Sequence, residues 1–160
     1  MAEFTHFKKD GSAVMVDVHE KPDTYRAASA TGTIQVSPEV FAAVRDHTAK
    51  KGDVLGVARL AGIMGAKKNA ELIPLCHIVP LTNCEVTFTT DENTNSITAV
   101  CTTSCVGKTG VEMEALTGVS TALLTIYDMC KAVDRDMRID RTLLLHKDGG
   151  RSGEYSRTNE

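Results

Sequence analysis

The sequence predicts one domain of the α+β class, and three features of the chain carry that prediction. Residues 85–90 and 97–103 alternate apolar and polar side chains around a turn at 91–95, the pattern of a β-hairpin. Residues 108–131 instead have the spacing of a helix packed on a core, with apolar side chains three or four positions apart at Leu116, Val119, Leu123, Ile126, Cys130 and Val133. A chain of 160 residues can form one real core, whereas two domains would be unusually small.

The first half of the chain contains a predicted strand and two predicted helices. Residues 25–36 alternate around several threonines, which indicates a strand or a bent hairpin arm. A capping serine, a proline and an acid at 37–39 begin a helix that is expected to reach about Lys50 and to end at Gly52. The segment 53–68 begins with an aspartate that can cap a second helix, and its many glycines and alanines permit close packing.

The second half completes the order of elements. Residues 73–81, with two prolines, indicate a buried irregular link or a short strand, and residues 138–146 a last strand after the long helix. The order strand, helix, helix, strand, strand, helix, strand is that of a ferredoxin-like split βαβ fold with an additional helix, an antiparallel sheet covered by helices on one face. We expect the core to span about 15–147, with the first dozen residues and 148–160 flexible.

Composition argues against several classes of function. The net charge of -3 gives no general reason to expect a nucleic-acid partner, and the absence of Trp with 4% aromatic residues disfavours stacking on single-stranded bases. No apolar run approaches about 18 residues and the N-terminus lacks an apolar signal core, so neither a membrane span nor secretion is predicted. Five cysteines, an odd number, are therefore expected to be reduced thiols in the cytoplasm.

One charged residue interrupts the apolar stretch of the long helix. Between Ala115 and Cys130 the only charged side chain is Asp128, and burying a carboxylate is costly unless it has a partner. Lys131 follows three positions later, so at about 100° per residue the two side chains lie about 60° apart and can meet. This pair on an otherwise apolar helix predicts a pocket or a subunit interface rather than an open surface.

The triplet at 107–109 resembles the end of a phosphate-binding P-loop. That motif also needs a glycine five residues before Gly107, where the chain has Thr102, so the P-loop is rejected. Thr109 and Glu112 instead fit a capping box that opens the long helix, an interpretation that is compatible with a role in a site.

His77 lies in an apolar, proline-bounded segment and has two possible roles. It can be a core histidine whose ring nitrogens meet backbone groups, or a hydrogen-bonding or proton-transfer group that lines a pocket. The neighbouring Cys76 suggests a metal ligand, but no second Cys/His pair has zinc spacing, so no metal site is predicted.

Basic residues occur in separated places along the chain. They are Arg26, Lys50, Lys51, Lys67, Lys68 and Lys147. Four of these lysines fit solvated positions near helix C-termini, where positive charge is favourable. Several lysines and an arginine can equally hold a polyphosphate without a P-loop, and sequence periodicity does not choose between the two interpretations.

Five motifs in order carry a resemblance to a known family. They are MVDV at 15–18, KKGDV at 50–54, LIPLCH at 72–77, KTGVEMEALT at 108–117 and TIYDMCKAV at 125–133. In this combination the chain resembles the molybdenum cofactor biosynthesis protein C family, the cyclic pyranopterin monophosphate synthases. The resemblance covers roughly residues 15–153, with departures at Ile78, where a proline is usual, and at Asn69, where threonine is more typical.

The resemblance implies a fold, an assembly and a reaction. The fold would be ferredoxin-like and the assembly a hexamer built as a trimer of dimers, with active sites at subunit interfaces. The enzyme would be a lyase that converts (8S)-3',8-cyclo-7,8-dihydroguanosine 5'-triphosphate to cyclic pyranopterin monophosphate with release of pyrophosphate. No redox cofactor is implied, although Mg²⁺ can accompany the triphosphate, and neither nucleic acid nor membrane is an expected partner.

The resemblance also implies roles for particular residues. Those implied to be catalytic are Asp128, Lys131 and Lys51. Those implied to bind substrate are Leu75, Cys76, His77, Glu112, Met113, Glu114, Arg26, Lys67 and Lys147. Two other functions stay open at this stage: a non-catalytic ligand-binding module of the same fold, and a different nucleotide phosphohydrolase or cyclohydrolase.

Overall fold

The computed structural model describes residues 6–8 and 10–158 and confirms the predicted α+β class. The elements in chain order are β1 (Thr24–Gln35), α1 (Pro38–Arg45), α2 (Val54–Lys67), α3 (Asn69–Leu72), β2 (Leu81–Asp91), β3 (Ser96–Gly107), α4 (Glu112–Cys130), β4 (Arg138–Asp148) and β5 (Tyr155–Ser156).

The strands form one antiparallel sheet in the order β2-β3-β1-β4-β5. The central strand β1 lies between β3 and β4, so its two neighbours come from much later in the chain. This arrangement of the first four strands is the split βαβ order, and it confirms the ferredoxin-like prediction.

The core lies between the sheet and the helices. Every second residue of β1 is buried, among them Ala28, Ala30 and Ile34, because successive side chains of a strand point to opposite faces. These residues pack in one apolar cluster with the predicted face of α4, which includes Val119 and Ile126. Val133, predicted to continue that face, lies beyond the end of α4 and is exposed.

The small residues of α2 allow it to approach α4 closely. A Cβ atom at Gly62 would lie 2.9 Å from the main-chain oxygen of Gly118, and one at Gly65 would lie 2.3 Å from Oγ1 of Thr121. The glycine and alanine content noted in the sequence therefore serves helix packing.

The predicted end of α1 is wrong, whereas the predicted start of α2 is confirmed. Helix α1 ends at Arg45 rather than near Lys50, because the chain turns through His47 with a φ of 55° and leaves the helical path. Gly52 does not close α1; it has a φ of 91° just before α2. The cap predicted for α2 is confirmed, since Asp53 Oδ1 accepts a hydrogen bond of 2.9 Å from the Gly56 amide.

The link before β2 is irregular, as predicted, but it is not buried. Ile78 is 90% exposed, and the two prolines of the link are exposed as well. The short helix α3 just before the link was not predicted, because four residues are too few to show a helical period.

The ends of the chain are more ordered than the sequence suggested. Strand β5 pairs with β4 through His146 and Lys147, so part of the tail predicted to be flexible belongs to the sheet. Near the N-terminus an antiparallel bridge joins Phe7 to Ala13. Residues 1–5, 9 and 159–160, also predicted to be flexible, lie outside the described residues.

Candidate active site

Three residues implied to be catalytic lie together at the C-terminal end of α4. The Nζ atom of Lys131 is 2.7 Å from Oδ1 of Asp128, which confirms that the pair predicted from helical spacing meets. The loop after α1 brings in Lys51, 77 positions away along the chain, and its Nζ atom donates a 3.1 Å hydrogen bond to the main-chain oxygen of Asp128. We call these three residues the Asp128 cluster.

The Asp128 cluster holds an ionised and accessible carboxylate. The hydrogen bond and positive charge of Lys131, with a further contribution from Lys51, hold the pKa of Asp128 below its ordinary value. The side chains of Asp128 and Lys131 are 64% and 52% exposed in the single chain. The closed environment that the sequence predicted for this pair is therefore not provided by one copy of the chain.

A second group of residues lies at the other end of α4. A cavity of about 770 Å³ is lined by side chains from the link before β2 and from the first turn of α4. Six of the sequence-selected residues line it: Leu75, Cys76, His77, Glu112, Met113 and Glu114. Although these two segments are more than thirty positions apart, the fold brings them to the same wall, and we call this space the α4 N-terminal cavity.

Glu114 is the one carboxylate that is buried among the described residues, with 4% of its surface exposed. Burial raises its pKa above the ordinary value because the charged form loses hydration. A 3.0 Å hydrogen bond donated by Nδ2 of Asn69 to Oε1 of Glu114 acts in the opposite direction. The main-chain amide of Glu114 also lowers the pKa, so the ionised form is favoured by one main-chain and one side-chain donor.

The start of α4 differs from the predicted capping box. The cap residue is Val111, which makes no side-chain capping bond, and Glu112 is the first residue of the helix rather than the third. The Thr109–Glu112 capping box is therefore wrong. The Glu112 side chain instead folds back over Gly110, where an added Cβ would lie 1.9 Å from Oε2, so that Glu112 also lines a neighbouring cavity.

His77 meets a backbone group and also lines the cavity. Its Nε2 atom lies 2.7 Å from the main-chain oxygen of Val16, so one ring nitrogen meets a backbone group. The same ring lines the α4 N-terminal cavity, together with Val16 itself. A 2.6 Å hydrogen bond from Lys108 Nζ to the main-chain oxygen of His19 holds the same N-terminal segment in place.

A basic cavity of about 500 Å³ adjoins the first one through Glu112. Five cations line it against two acids, Glu112 and Asp148; the cations are Lys21, Arg26, Lys108, Lys147 and Arg151. Arg26 is largely buried, and its Nε donates a 3.4 Å hydrogen bond to the main-chain oxygen of Gly107. Lys147 donates a hydrogen bond to Oγ of Ser152. This arrangement favours an anion.

Three cations of this basic cavity were not singled out as site residues from the sequence. Lys108 lies in the triplet that first suggested a P-loop, which was a usable signal. Lys21 and Arg151 had no such signal, because they are separated by 130 positions and come together only through the fold. Conversely, Lys67 lies apart from Arg26 and Lys147 within one chain, beside Cys84 and Val79 in a separate depression.

The chain matches a known protein family over most of its length. The model of the family described as "MoaC family" matches residues 15–150. The chain belongs to the MoaC family. All residues implied to be catalytic or substrate-binding, from Arg26 to Lys147, fall inside the matched range, whereas Arg151 falls just beyond it.

Curated relatives within the MoaC family extend over nearly the whole chain. A protein of Thermomicrobium roseum is 54% identical over 160 residues, which is all of this chain and 96% of the relative. Proteins of Clostridium botulinum and Chloroflexus aurantiacus are each 54% identical, over 96% and 97% of this chain and 96% and 95% of their own lengths. Each of the three is named cyclic pyranopterin monophosphate synthase.

The described residues of this MoaC-family chain contain neither a metal-binding cluster nor a membrane-spanning helix. Within residues 6–8 and 10–158, no group of three or more His, Cys, Asp or Glu side chains is placed to hold a metal ion. In the same residues, no helix is long and apolar enough to cross a membrane.

Proposed function

We propose that the chain is a cyclic pyranopterin monophosphate synthase of molybdenum cofactor biosynthesis. It is a lyase that converts (8S)-3',8-cyclo-7,8-dihydroguanosine 5'-triphosphate to cyclic pyranopterin monophosphate and releases pyrophosphate. The observation that carries this proposal is the 54% identity to synthases of that name over the full length of the chain. Five free cysteines fit a cytoplasmic enzyme.

The Asp128 cluster supplies the proton transfers. Opening one ring, rebuilding another and closing a cyclic phosphate all require protons to move among ring nitrogens, ribose oxygens and water. Lys51 and Lys131 move these protons, and Asp128 either orients Lys131 or acts directly as a base. The lowered pKa of Asp128 supports the orienting role, because a carboxylate that stays ionised holds the Lys131 ammonium but is a weaker base.

The α4 N-terminal cavity binds the purine-derived end of the substrate. Glu112 and Glu114 accept hydrogen bonds from its amino and ring N–H groups, while Met113 and Leu75 pack against the ring. Cys76 and His77 line the same cavity, and His77 helps to neutralise the charge that builds up on the phosphates.

The basic cavity binds the triphosphate. Arg26 and Lys147, with Lys21, Lys108 and Arg151, neutralise the charge that builds up as pyrophosphate departs. Because this cavity shares Glu112 with the neighbouring one, a single extended molecule can occupy both. No cofactor is needed for rearrangement and elimination, and Mg²⁺ can enter with the triphosphate as its counterion.

One chain cannot place all of these groups around the same reacting atoms. Glu112 and Asp128 are sixteen residues apart in α4, which at 1.5 Å per residue is about 24 Å. A proton-transfer group must lie within about 3 Å of the atom it serves. We therefore propose that one copy supplies the Asp128 cluster and a second copy supplies the two cavities.

Exposed apolar side chains support such an assembly. Val57, Leu60 and Met64 form a stripe along α2, and Leu124 lies exposed on the neighbouring α4. A contiguous apolar surface of this kind is typical of an interface between subunits. The hexamer expected from the family resemblance, a trimer of dimers, has this surface available for its contacts.

The proposal is tested by supplying the purified protein with the cyclised triphosphate. We expect pyrophosphate and cyclic pyranopterin monophosphate in equal amounts, measured by a coupled pyrophosphate assay and by mass spectrometry. Tight binding without turnover would contradict the proposal in favour of a binding module. Release of phosphate or pyrophosphate from GTP itself would indicate a different nucleotide hydrolase or cyclohydrolase.

A further inference from the structure

Asn69 is a fully buried polar residue next to the α4 N-terminal cavity, and only 1% of its surface is exposed. It begins the short helix α3, and its main-chain oxygen accepts a 2.9 Å hydrogen bond from the amide of Ile73, at the start of the link that carries His77. Its side chain points the other way, toward the first turns of α4. Asn69 therefore connects the two segments that form the cavity wall.

The Asn69 amide is held from both sides. Its Nδ2 donates a 3.0 Å hydrogen bond to Oε1 of Glu114, and its Oδ1 accepts a 2.7 Å hydrogen bond from Oγ1 of Thr117. An ionised carboxylate can only accept hydrogen bonds. If the amide were turned around, its oxygen would face an oxygen of the ionised carboxylate, so the observed orientation is the one that suits the ionised form, with the Thr117 hydroxyl donating to Oδ1.

This orientation matters because Asn69 is the one side chain whose hydrogen bond lowers the pKa of Glu114, beside the main-chain amide of Glu114 itself. Its burial favours the neutral acid, which would donate a hydrogen bond rather than accept one. A donor fixed in place by Thr117 favours the ionised form without any reorganisation when a ligand enters. The chain of three side chains thus controls both where the carboxylate lies and what charge it has.

We propose that Asn69 is a positioning residue for Glu114: its amide, oriented by Thr117, holds the Glu114 carboxylate ionised at the cavity wall to accept hydrogen bonds from the N–H groups of a purine-like ring. The role rests on the proposed function, since it concerns how that substrate is bound. Asn69 touches Glu114 and Thr117, and it acts on the substrate only through the carboxylate.

The test compares the full-length protein with its Asn69→Leu variant, in which a side chain of similar shape lacks both hydrogen bonds. Carboxyl-carbon NMR titration of Glu114, assigned with Glu114→Gln, should show the midpoint rising by about one pH unit. The apparent pKa of the acidic limb of the kcat/KM profile should rise by the same amount. On that limb kcat/KM should fall by about 10-fold, with the largest fall at low pH, and the change should appear mainly in KM.

A structural role alone would give a different result. Ile34→Val removes one buried methylene at the far end of β1 and serves as a control for a small loss of stability. It should leave both the Glu114 titration and the shape of the pH profile unchanged. If Asn69→Leu behaved like this control, or lost activity equally at every pH, the positioning role would be overturned.

Two further measurements keep the outcome decisive. Should Asn69→Leu fail to fold, Thr117→Val removes only the hydroxyl that orients the amide, and it should raise the Glu114 midpoint in the same direction by a smaller amount. An unmoved midpoint in Thr117→Val would then count against the proposal. If the wild-type protein turned over no cyclised triphosphate, the proposed function would fail, while the titration would still decide whether Asn69 controls Glu114.

Discussion

At the scale of single residues, Asp128 is charged, hydrogen-bonded and yet exposed in the single chain. An exposed ion pair contributes little to stability, typically about 0–1 kcal/mol. Nothing in the fold therefore requires this carboxylate next to Lys131 and Lys51. A chemical role is the better explanation of why the three charged groups lie together.

We predict that Asp128→Asn keeps the fold and loses product formation by orders of magnitude. The change removes the charge but retains the shape, and the free energy of unfolding should stay close to that of wild type because solvent screens this exposed pair. Turnover of the cyclised triphosphate and urea unfolding measure the two effects. Glu92→Gln is the matched control, because it breaks another exposed pair, Arg45 with Glu92, outside the site. Near wild-type turnover in Asp128→Asn would remove Asp128 from the mechanism.

The buried Glu114 carboxyl should make the stability of the protein depend on pH. Its folded-state pKa lies above the ordinary value of 4.5, so folding takes up a proton between the two values. Stability is therefore highest below the ordinary pKa and falls as pH rises through the folded-state pKa. Glu114→Gln should abolish this fall and gain stability relative to wild type toward neutral pH.

Urea unfolding at fixed protein concentration, from acidic to neutral pH, measures the difference between Glu114→Gln and wild type. The gain in stability should be accompanied by weaker substrate binding, since the glutamine amide lacks the negative charge that the N–H groups prefer. Parallel stability curves at all pH values would show that burial does not raise the pKa of Glu114.

At the scale of elements, the contact between α2 and α4 positions both the Asp128 cluster and the α4 N-terminal cavity. Gly62→Ala should destabilise the protein by about 1–3 kcal/mol, because the new Cβ would lie 2.9 Å from the main-chain oxygen of Gly118. Helix propensity alone predicts the opposite sign, a gain of about 1 kcal/mol. Urea unfolding decides between the two.

Gly107→Ala is the control for the α2–α4 contact. A Cβ at Gly107 would meet only Sγ of Cys105 at 3.5 Å, an ordinary contact, and the residue has no positive φ. Its effect on stability should stay within about 0.5 kcal/mol. Should Gly62→Ala be as mild as this control, the two helices would not need glycine for their separation.

At the scale of the whole molecule, the proposed two-copy site can be tested by mixing inactive variants. At a substrate concentration well below the wild-type KM, Asp128→Asn should have little activity because it lacks the acid–base group, and Glu114→Gln because it binds substrate weakly. Each change impairs every site. After dissociation and random reassembly of an equal mixture, about a quarter of the sites should contain an intact Asp128 and an intact Glu114 from different copies. Turnover should recover to about that fraction of wild type.

The control for mixing is a pair of variants in the same cluster. Asp128→Asn mixed with Lys51→Ala should recover nothing, because both residues come from one copy and every cluster stays damaged. Equal recovery in both mixtures, or none in either despite verified mixed assemblies, would contradict a site shared between copies.

The sequence by itself determined the elements whose cause is local. Apolar side chains at every second position predicted the β2–β3 hairpin, and apolar side chains three or four positions apart predicted α4. The capping residue Asp53 predicted the start of α2, and the structure confirms all three. The family also followed from ordered motifs, and the match over 15–150 confirms it. The local signals failed where the backbone leaves a regular path, as at His47, or where a helix is as short as α3.

Only the tertiary structure decided which side chains meet. Helical spacing could join Asp128 to Lys131, three residues away, but Lys51 reaches them through a loop 77 positions earlier. Asn69 contacts Glu114, and Lys21 lines the same cavity as Arg151, only because the fold brings distant segments together. The physical reason is that chain periodicity reports which face a residue occupies, whereas contacts between faces depend on how whole elements pack.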